Sequence, residues 1–281
     1  LRAVTTAWLE IRVCGASQND RDAVVRALVQ AGAAGVQEVD DELVTHLGYN
    51  ADRAALDAAV TSASAGARVQ YTPAGGCDWA RAWPVRVGVN HVGRIAVAPP
   101  WLAAGTATAE IAILIDPAMA FGTGEHETTR GVLQLMQHVI RPGDFVADLG
   151  TGSAVLAIAA ARLGAARVAA IELDHDAIGN AEENVARNHA QDAVHVIEGD
   201  AGTLLPLLAP VRVILANIIS SVLLDLSAGM LAALTPDGEA ILSGMLATER
   251  EPLRHELECG GWRIGAERVE GDWWSCVLSP R

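Results

Sequence analysis

Asp148-Leu149-Gly150-Thr151-Gly152-Ser153 joins an apolar run, Phe145 to Leu149, to an alanine-rich stretch that reads as a helix. Glycines at such a junction let the chain turn sharply and let a ligand approach the backbone. Outward from this turn the chain alternates between two patterns. Strands are predicted near 111–115, 144–149, 167–172, 193–198, 211–217 and 238–243, and helices near 127–139, 153–163, 175–188, 220–234 and 246–258. The strands are continuous apolar runs, as expected of a sheet covered on both faces. Two consecutive strands, 262–269 and 272–279, turn around Gly271 and close the chain. The prediction is a doubly wound parallel α/β sheet with a terminal antiparallel hairpin.

Ahead of residue 100 the pattern changes. Trp8 to Val13 alternates as a strand, and Asp20 to Ala31 is helical, with Val24, Val25, Leu28 and Val29 on one face. Val36 to Leu47 reads as two short strands turning at Asp40-Asp41, Asp52 to Ser62 as a helix, and Ala67 to Tyr71 as a strand. A βαββαβ order suggests a small ferredoxin-like α+β domain over residues 1–72. Residues 73–109 are expected to be a linker containing a hairpin, Val85 to Val97, and residues 110–281 the nucleotide-binding domain.

Composition removes several classes. The 281 residues include no lysine: all 20 basic residues are arginine, against 34 Asp plus Glu, for a net charge of −14. That balance lacks the basic field of sequence-independent nucleic-acid binding, so no direct nucleic-acid partner is expected. With 51% hydrophobic and 19% charged residues the chain buries a core rather than staying disordered. Aromatics are only 4% and alanines number 52, so that core is built from Ala, Val, Leu and Ile. The most apolar stretch, Val155 to Ile171, is broken by Arg162 and Arg167 and is too short to span a bilayer. Leu1 to Val13 contains Glu10 and Arg12 and no cleavage pattern, so no secretory signal is read there. The first residue is not Met, which points to a trimmed start. Cys14, Cys77, Cys259 and Cys276 form no CxxC pair, which suits a reducing cytoplasm.

Four strand ends in series carry the candidate cofactor site. Gly150 and Gly152 lie at the first. Glu172, 22 positions after Gly150, ends the second, where a carboxylate can accept both hydroxyls of a ribose. Asp200 ends the third, within reach of an adenine edge, and Asn217 ends the fourth. The carboxyl edge of an open α/β sheet is where such folds bind ligands. Each residue alone has a bland reading, a tight turn or a solvated loop end; their joint placement carries the argument. A dinucleotide site wants a third glycine three positions after Gly152, and Val155 stands there. S-adenosylmethionine carries no phosphate and needs less room, and the terminal hairpin favours a methyltransferase arrangement.

The other distinctive segment is Asp116 to Thr129, containing Phe121-Gly122-Thr123-Gly124-Glu125-His126-Glu127-Thr128-Thr129 ahead of a helix that Glu127 or Thr128 is expected to cap. A metal reading of His126-Glu127 fails because Arg130 occupies the position where a second histidine is needed. A P-loop reading fails for want of a lysine. His126 is a candidate base by residue type, and a hydrogen bond that fixes the loop is an equal reading.

These strings resemble one family. FGTGEHETT, DLGTGS about 20 residues on, then Ala216-Asn217-Ile218, are similar to the PrmA family of ribosomal protein methyltransferases, which modify the eleventh protein of the large ribosomal subunit. The similarity runs from about Asp78 to the C-terminal GDWWSCVLSPR, and more loosely over WLEIRV and AGVQEVDD. The resemblance implies a class I S-adenosylmethionine-dependent methyltransferase that transfers methyl groups to lysine ε-amines, and to the N-terminal α-amine, of that ribosomal protein. It implies cofactor contacts at Thr129, Gly150, Glu172 and Asn217, to which the strand-end reading adds Gly152 and Asp200. It places Phe121 and Thr123 at the methyl-transfer pocket and assigns the N-terminal domain to the protein substrate; the side chain of Asn217 is in addition a candidate to hold the acceptor amine. Ala154 departs from the glycine often found there, Glu172 from the usual aspartate, and Pro84 and Arg86 from the connector's usual lysines. The alternatives are a lysine methyltransferase acting on another protein, such as electron-transfer flavoprotein, a nicotinamide oxidoreductase, and a non-catalytic nucleotide-binding module. A nucleic-acid methyltransferase is disfavoured by charge and because Asn217 is followed by Ile218-Ile219-Ser220 rather than Pro-Pro-Tyr.

Overall fold

The computed structural model describes residues 8–15, 17, 20–31, 33, 36–39, 42–48, 51–64, 66–74, 88–116 and 124–281. The chain divides into two compact units, residues 1–86 and 87–281.

The first unit runs β1 (Trp8–Cys14), α1 (Arg21–Gln30), β2 (Gln37–Val39), β3 (Glu42–Gly48), α2 (Arg53–Ala63) and β4 (Arg68–Ala74). Its four-stranded sheet has the order β2-β3-β1-β4, and the pairs are antiparallel. Strand β1 shows why the pattern folds this way. Leu9, Ile11 and Val13 alternate into the core beside Val24 and Leu28 of α1 and Leu56 and Val60 of α2, while Glu10 and Arg12 stay half-exposed. Asp52 starts α2 by accepting the Ala55 N–H at 3.0 Å.

The second unit opens with β5 (Asn90–Val92), β6 (Ile95–Ala98), a 3-10 turn over Pro100–Thr106, and β7 (Ile111–Leu114). These strands form a separate sheet in which β5 and β6 are antiparallel and β6 and β7 parallel. Residues 88–109, the described part of the stretch read as a linker, carry an antiparallel hairpin, β5 and β6, close to the expected Val85 to Val97 range, and they belong to the second unit. One expectation changes here. Strand 111–115 pairs with β6, not with the doubly wound sheet. An apolar run announces a buried strand but does not name its partner.

The main sheet follows. Its strands are β8 (Phe145–Leu149), β9 (Arg167–Glu172), β10 (Val194–Glu198), β11 (Val211–Asn217), β12 (Leu234–Leu246), β13 (Trp262–Glu270) and β14 (Trp273–Pro280). The order is β10-β9-β8-β11-β12-β14-β13. The first five strands are parallel, and β14 runs antiparallel to both β12 and β13. The helices are α3 (Glu127–Val139), α4 (Val155–Arg162), α5 (His175–Arg187), α6 (Ala201–Leu208), α7 (Ser220–Ala233) and α8 (Arg250–Cys259). Helix α6 was not expected, because Pro206 lies inside it.

Both faces of the sheet are covered, and single strands feed both. Val213 and Leu215 of β11 pack among Val132, Met136 and Ile158 on one side; Ile214 and Ala216 pack among Leu223, Met230 and Leu253 on the other. Helix α3 lies against β12 and β14, and Gly131 makes that approach possible, since a Cβ there would stand 2.2 Å from Ser275 Oγ. The chain winds outward from β8 in one direction to β9 and β10, then returns to β11 and β12 on the other side. The reversal between β8 and β11 is the switch point where open α/β sheets form a crevice.

Candidate active site

The turn after β8 sits at that switch point. Gly150, Gly152 and Ala154 all have left-handed backbones, with φ of +68°, +54° and +65°. At Gly150 a side chain is also excluded by space: its Cβ would lie 2.8 Å from Ile218 Cγ2. The Gly150 and Thr151 amides donate to the Ile171 carbonyl at 2.9 and 3.0 Å, tying the turn to the end of β9. Glu172, one residue on, completes the tie. Its Oε2 accepts the Gly152 N–H at 2.8 Å, and its Oε1 accepts the Leu173 and Asp174 N–H groups at 2.9 and 3.0 Å.

Asp148 lies beneath the turn with no exposed surface. It accepts the Thr151 hydroxyl at 2.6 Å. Burial pushes its carboxyl up to about 7, against the downward pull of the Thr151 and Ala157 hydrogen bonds, and the nearby Glu172 charge adds to the rise.

Asn217, at the end of β11, donates its Nδ2 to Thr129 Oγ1 at 3.4 Å. Thr129 is fully buried in the first turn of α3. The carboxyl ends of β8, β9 and β11 and the start of α3 therefore meet at one edge of the sheet. Asp200 lies two residues beyond β10, and its Oδ1 is engaged as the cap of α6, accepting the Thr203 N–H and hydroxyl, both at 2.8 Å. Phe121 and Thr123 lie outside the described residues.

The described parts of the 116–129 segment are held at both ends. Where it begins, Asp116 is bonded to α5 through Asn184 and Arg187. Where it ends, His126, not Glu127 or Thr128, is the cap of α3. Its Nδ1 accepts the Thr128 N–H at 3.3 Å and lies 2.9 Å from the Thr128 hydroxyl. Its ring meets Trp273 edge-on, with centroids 5.0 Å apart. Both contacts match the loop-fixing role. Arg130 reaches back to the Glu125 carbonyl and across to Glu270 Oε1 at 2.7 Å. Asn184, Asn188, Arg130 and Glu270 were not singled out from the sequence. The asparagines carried a signal in their four-residue spacing; the Arg130–Glu270 pair carried none.

The turn suits one of two nucleotide classes. A pyrophosphate needs open amides at the glycine turn and helix N-terminus, but Glu172 already takes the Gly152 amide and places a negative charge there. A ribose offers hydroxyl donors, which a carboxylate accepts. The sheet order with its terminal antiparallel pair, the left-handed turn after β8 and the acidic end of β9 together define a class I, S-adenosylmethionine-dependent methyltransferase.

Comparison with known proteins narrows the class. Residues 50–280 match the family model described as ribosomal protein L11 methyltransferase (PrmA). A ribosomal protein L11 methyltransferase from Desulforamulus reducens is 38% identical over 208 residues, covering 72% of this chain and 66% of the relative. That of Chloroflexus aurantiacus is 39% identical over 223 residues, covering 71% and 68%. The crystal structure of ribosomal protein L11 methylase from Lactobacillus delbrueckii subsp. bulgaricus superposes with a TM-score of 0.62 at 30% identity, covering 69% of this chain and 98% of that one. The chain belongs to the PrmA family of ribosomal protein L11 methyltransferases. The matched stretch spans about two thirds of the length of the curated relatives.

Proposed function

We propose that this chain transfers methyl groups from S-adenosylmethionine to lysine ε-amines, and to the N-terminal α-amine, of ribosomal protein L11. The observation that carries the reading is the meeting of the Gly150–Gly152 turn, Glu172 and the Asn217–Thr129 pair at one sheet edge, in a chain of this family.

The cofactor presents its methyl on a sulfonium, which is already a good leaving group. The protein's task is then mainly positioning, which supplies about 7–11 kcal/mol in favourable cases. Glu172 and the glycine turn hold the ribose, and Asp200 borders the adenine. The acceptor is the harder problem, because a free lysine with a pKa near 10.4 is neutral in only about one molecule in a thousand at pH 7.4. A partly dry pocket favours the neutral amine. Asn217 gives an N–H to Thr129, which leaves its amide oxygen to accept from that amine. Phe121 faces the sulfonium through cation–π attraction in this reading, and Thr123 lines the pocket.

Residues 1–72 are assigned to gripping the protein substrate. The net charge of −14 suits steering of a basic partner, and the absence of lysine means every side-chain acceptor comes from that partner. A cytoplasmic location fits the free thiols of Cys14, Cys259 and Cys276. Among the described residues no helix is long and apolar enough to cross a membrane.

Mass spectrometry of L11 after incubation with enzyme and cofactor tests the assignment. A gain in multiples of one methyl is expected, and an unchanged mass overturns it. Asn217→Ala should lower turnover at saturating cofactor; unaltered turnover would remove Asn217 from amine positioning.

A further inference from the structure

Helix α5 and the residue that caps its end carry asparagine at 180, 184 and 188, a spacing of four that sets all three on one face. That face serves a strand edge. Strand β7 pairs with β6 along one side, and the Ile111 and Ile115 amides donate to Arg94 and Ala98 carbonyls there. On the opposite edge, Leu114 and Asp116 point their backbone groups at the helix. Asn188 accepts the Leu114 N–H at 2.8 Å and donates to the Leu114 carbonyl at 2.7 Å. Asn184 accepts the Asp116 N–H at 2.8 Å and donates to the Asp116 carbonyl at 3.3 Å, and Asn180 donates to the same carbonyl at 3.2 Å. Each carboxamide thus stands in for a peptide group of a neighbouring strand. The spacings match: four helical residues rise about 6.0 Å, and two strand residues about 6.6–6.8 Å.

Asn184 has partners that Asn188 lacks, among them Asn180 Oδ1 at 3.3 Å. Its Nδ2 also donates, at 3.2 Å, to the Ser153 carbonyl in the glycine turn. Its side chain is fully buried, and Arg187 Nη1 donates to its Oδ1 at 2.7 Å. A single carboxamide therefore bonds both the turn after β8 and Asp116, where the 116–129 segment begins.

We propose that Asn184 is a positioning residue that couples the cofactor turn at Ser153 to Asp116, so that cofactor in the turn and the start of the 116–129 segment are held in one register. The proposal rests on the reading of the turn as an S-adenosylmethionine site. Asn188 supplies the control: same ladder, same strand edge, no bond to the turn.

The test compares Asn184→Ala, Asn184→Asp and Asn188→Ala. The aspartate keeps an acceptor for the Asp116 N–H and for Arg187 and loses the donor to the Ser153 and Asp116 carbonyls, and urea denaturation of each variant establishes that it is folded before its exchange is read. S-adenosylhomocysteine is the probe, with its binding followed by calorimetry and the Asp116 amide by hydrogen exchange. In the wild type the probe should slow exchange of that amide. In both Asn184 variants the slowing should vanish although the probe still binds; in Asn188→Ala it should persist. In steady-state assays on L11 the Asn184 variants should lose about 10-fold or more in kcat with KM for cofactor within about 3-fold, and Asn188→Ala should keep kcat within about 2-fold. Slowing that survives in the Asn184 variants, or disappears equally in Asn188→Ala, overturns the coupling. A wild type that binds the probe but leaves the mass of L11 unchanged defeats the substrate assignment alone, and the exchange comparison still decides the coupling. A wild type that does not bind the probe overturns both.

Discussion

The Glu172 carboxylate accepts the Gly152 amide at 2.8 Å, so the acidic end of β9 is bonded to the turn that follows β8. One side chain thereby fixes the shape of the turn and sets a negative charge beside it. Its other oxygen folds back on the Leu173 and Asp174 amides, which uses the length of the glutamate side chain.

Glu172→Ala removes the tie to Gly152 and, on the proposed reading, the acceptor for the ribose. Hydrogen bonds to charged groups contribute about 1.5–3 kcal/mol each, so affinity for S-adenosylhomocysteine should fall about 10- to 100-fold. Turnover at saturating cofactor should change far less, since the proposed reading sets the carboxylate at the ribose and not at the reacting methyl. Calorimetry checks this, and an unaltered Kd would remove Glu172 from the cofactor site.

Ala154 has a left-handed backbone, at φ +65°, with no exposed surface. Left-handed alanine costs about 1–2 kcal/mol. Glycine at this position relieves that cost but adds about 0.4–1 kcal/mol of unfolded-state freedom and loses a buried methyl worth about 0.8 kcal/mol. These effects nearly cancel. Ala154→Gly should therefore stay within about 1 kcal/mol of wild type in urea denaturation, whereas Ala154→Val, β-branched at positive φ, should destabilise by about 2 kcal/mol or more. A large gain on substituting glycine would show that the strain has been underestimated.

The glycine turn and the strand ends were legible because each is a local event: an apolar run ends and a small or polar residue follows. Glu172 and Asn217 stood out for that reason. Helix α6 was hidden by Pro206, since an internal proline removes a backbone hydrogen bond and reads as a break. Strand β7 was legible as a strand but not as a member of its own sheet, because partner choice is decided far away in the chain. The asparagine ladder was masked differently. Amphipathic reading follows apolar residues, and polar ones at 180, 184 and 188 look like a solvated face although Asn184 and Asn188 are buried. Arg130 and Glu270 are 140 positions apart, beyond any pattern in the sequence.

Asp148 makes stability depend on pH in a defined direction. Its folded carboxyl lies at about 7, above the ordinary aspartate value of 3.8. Between those values the folded state holds a proton that the unfolded state releases. Its contribution is therefore present below about 4 and is lost as pH rises through 7. Asp148→Asn cannot titrate and does not suffer this loss. Relative to wild type, the variant should gain stability as pH is raised from 5 to 8, read as a narrowing or reversal of the difference in Tm. A difference that does not change with pH would mean that Asp148 is already ionised throughout the range.

Arg130 and Glu270 join the start of α3 to the terminal hairpin at 2.7 Å, with side chains 25% and 27% exposed. Glu270 also takes Arg268 Nε and Nη2 at 3.1 and 2.9 Å. Burial alone would raise the Glu270 carboxyl, but the hydrogen bonds from Arg268 and Arg130 prevail and hold it below the ordinary range. A depressed carboxylate stabilises the fold above its unfolded pKa and loses that contribution as pH falls through the folded value. Because the pair is only partly buried, its worth is discounted for solvent screening to about 1–2 kcal/mol. Glu270→Gln should cost that much at pH 7, and its deficit against wild type should shrink as pH drops below about 4.5. The same variant loosens the hairpin's hold on Arg130, whose guanidinium also bonds the Glu125 carbonyl next to the His126 cap. Transfer to L11 should therefore fall by more than the loss in stability explains, with Glu270→Asp recovering part of it. Equal activity in Glu270→Gln and wild type would show that the hairpin supports the sheet without positioning the segment that precedes α3.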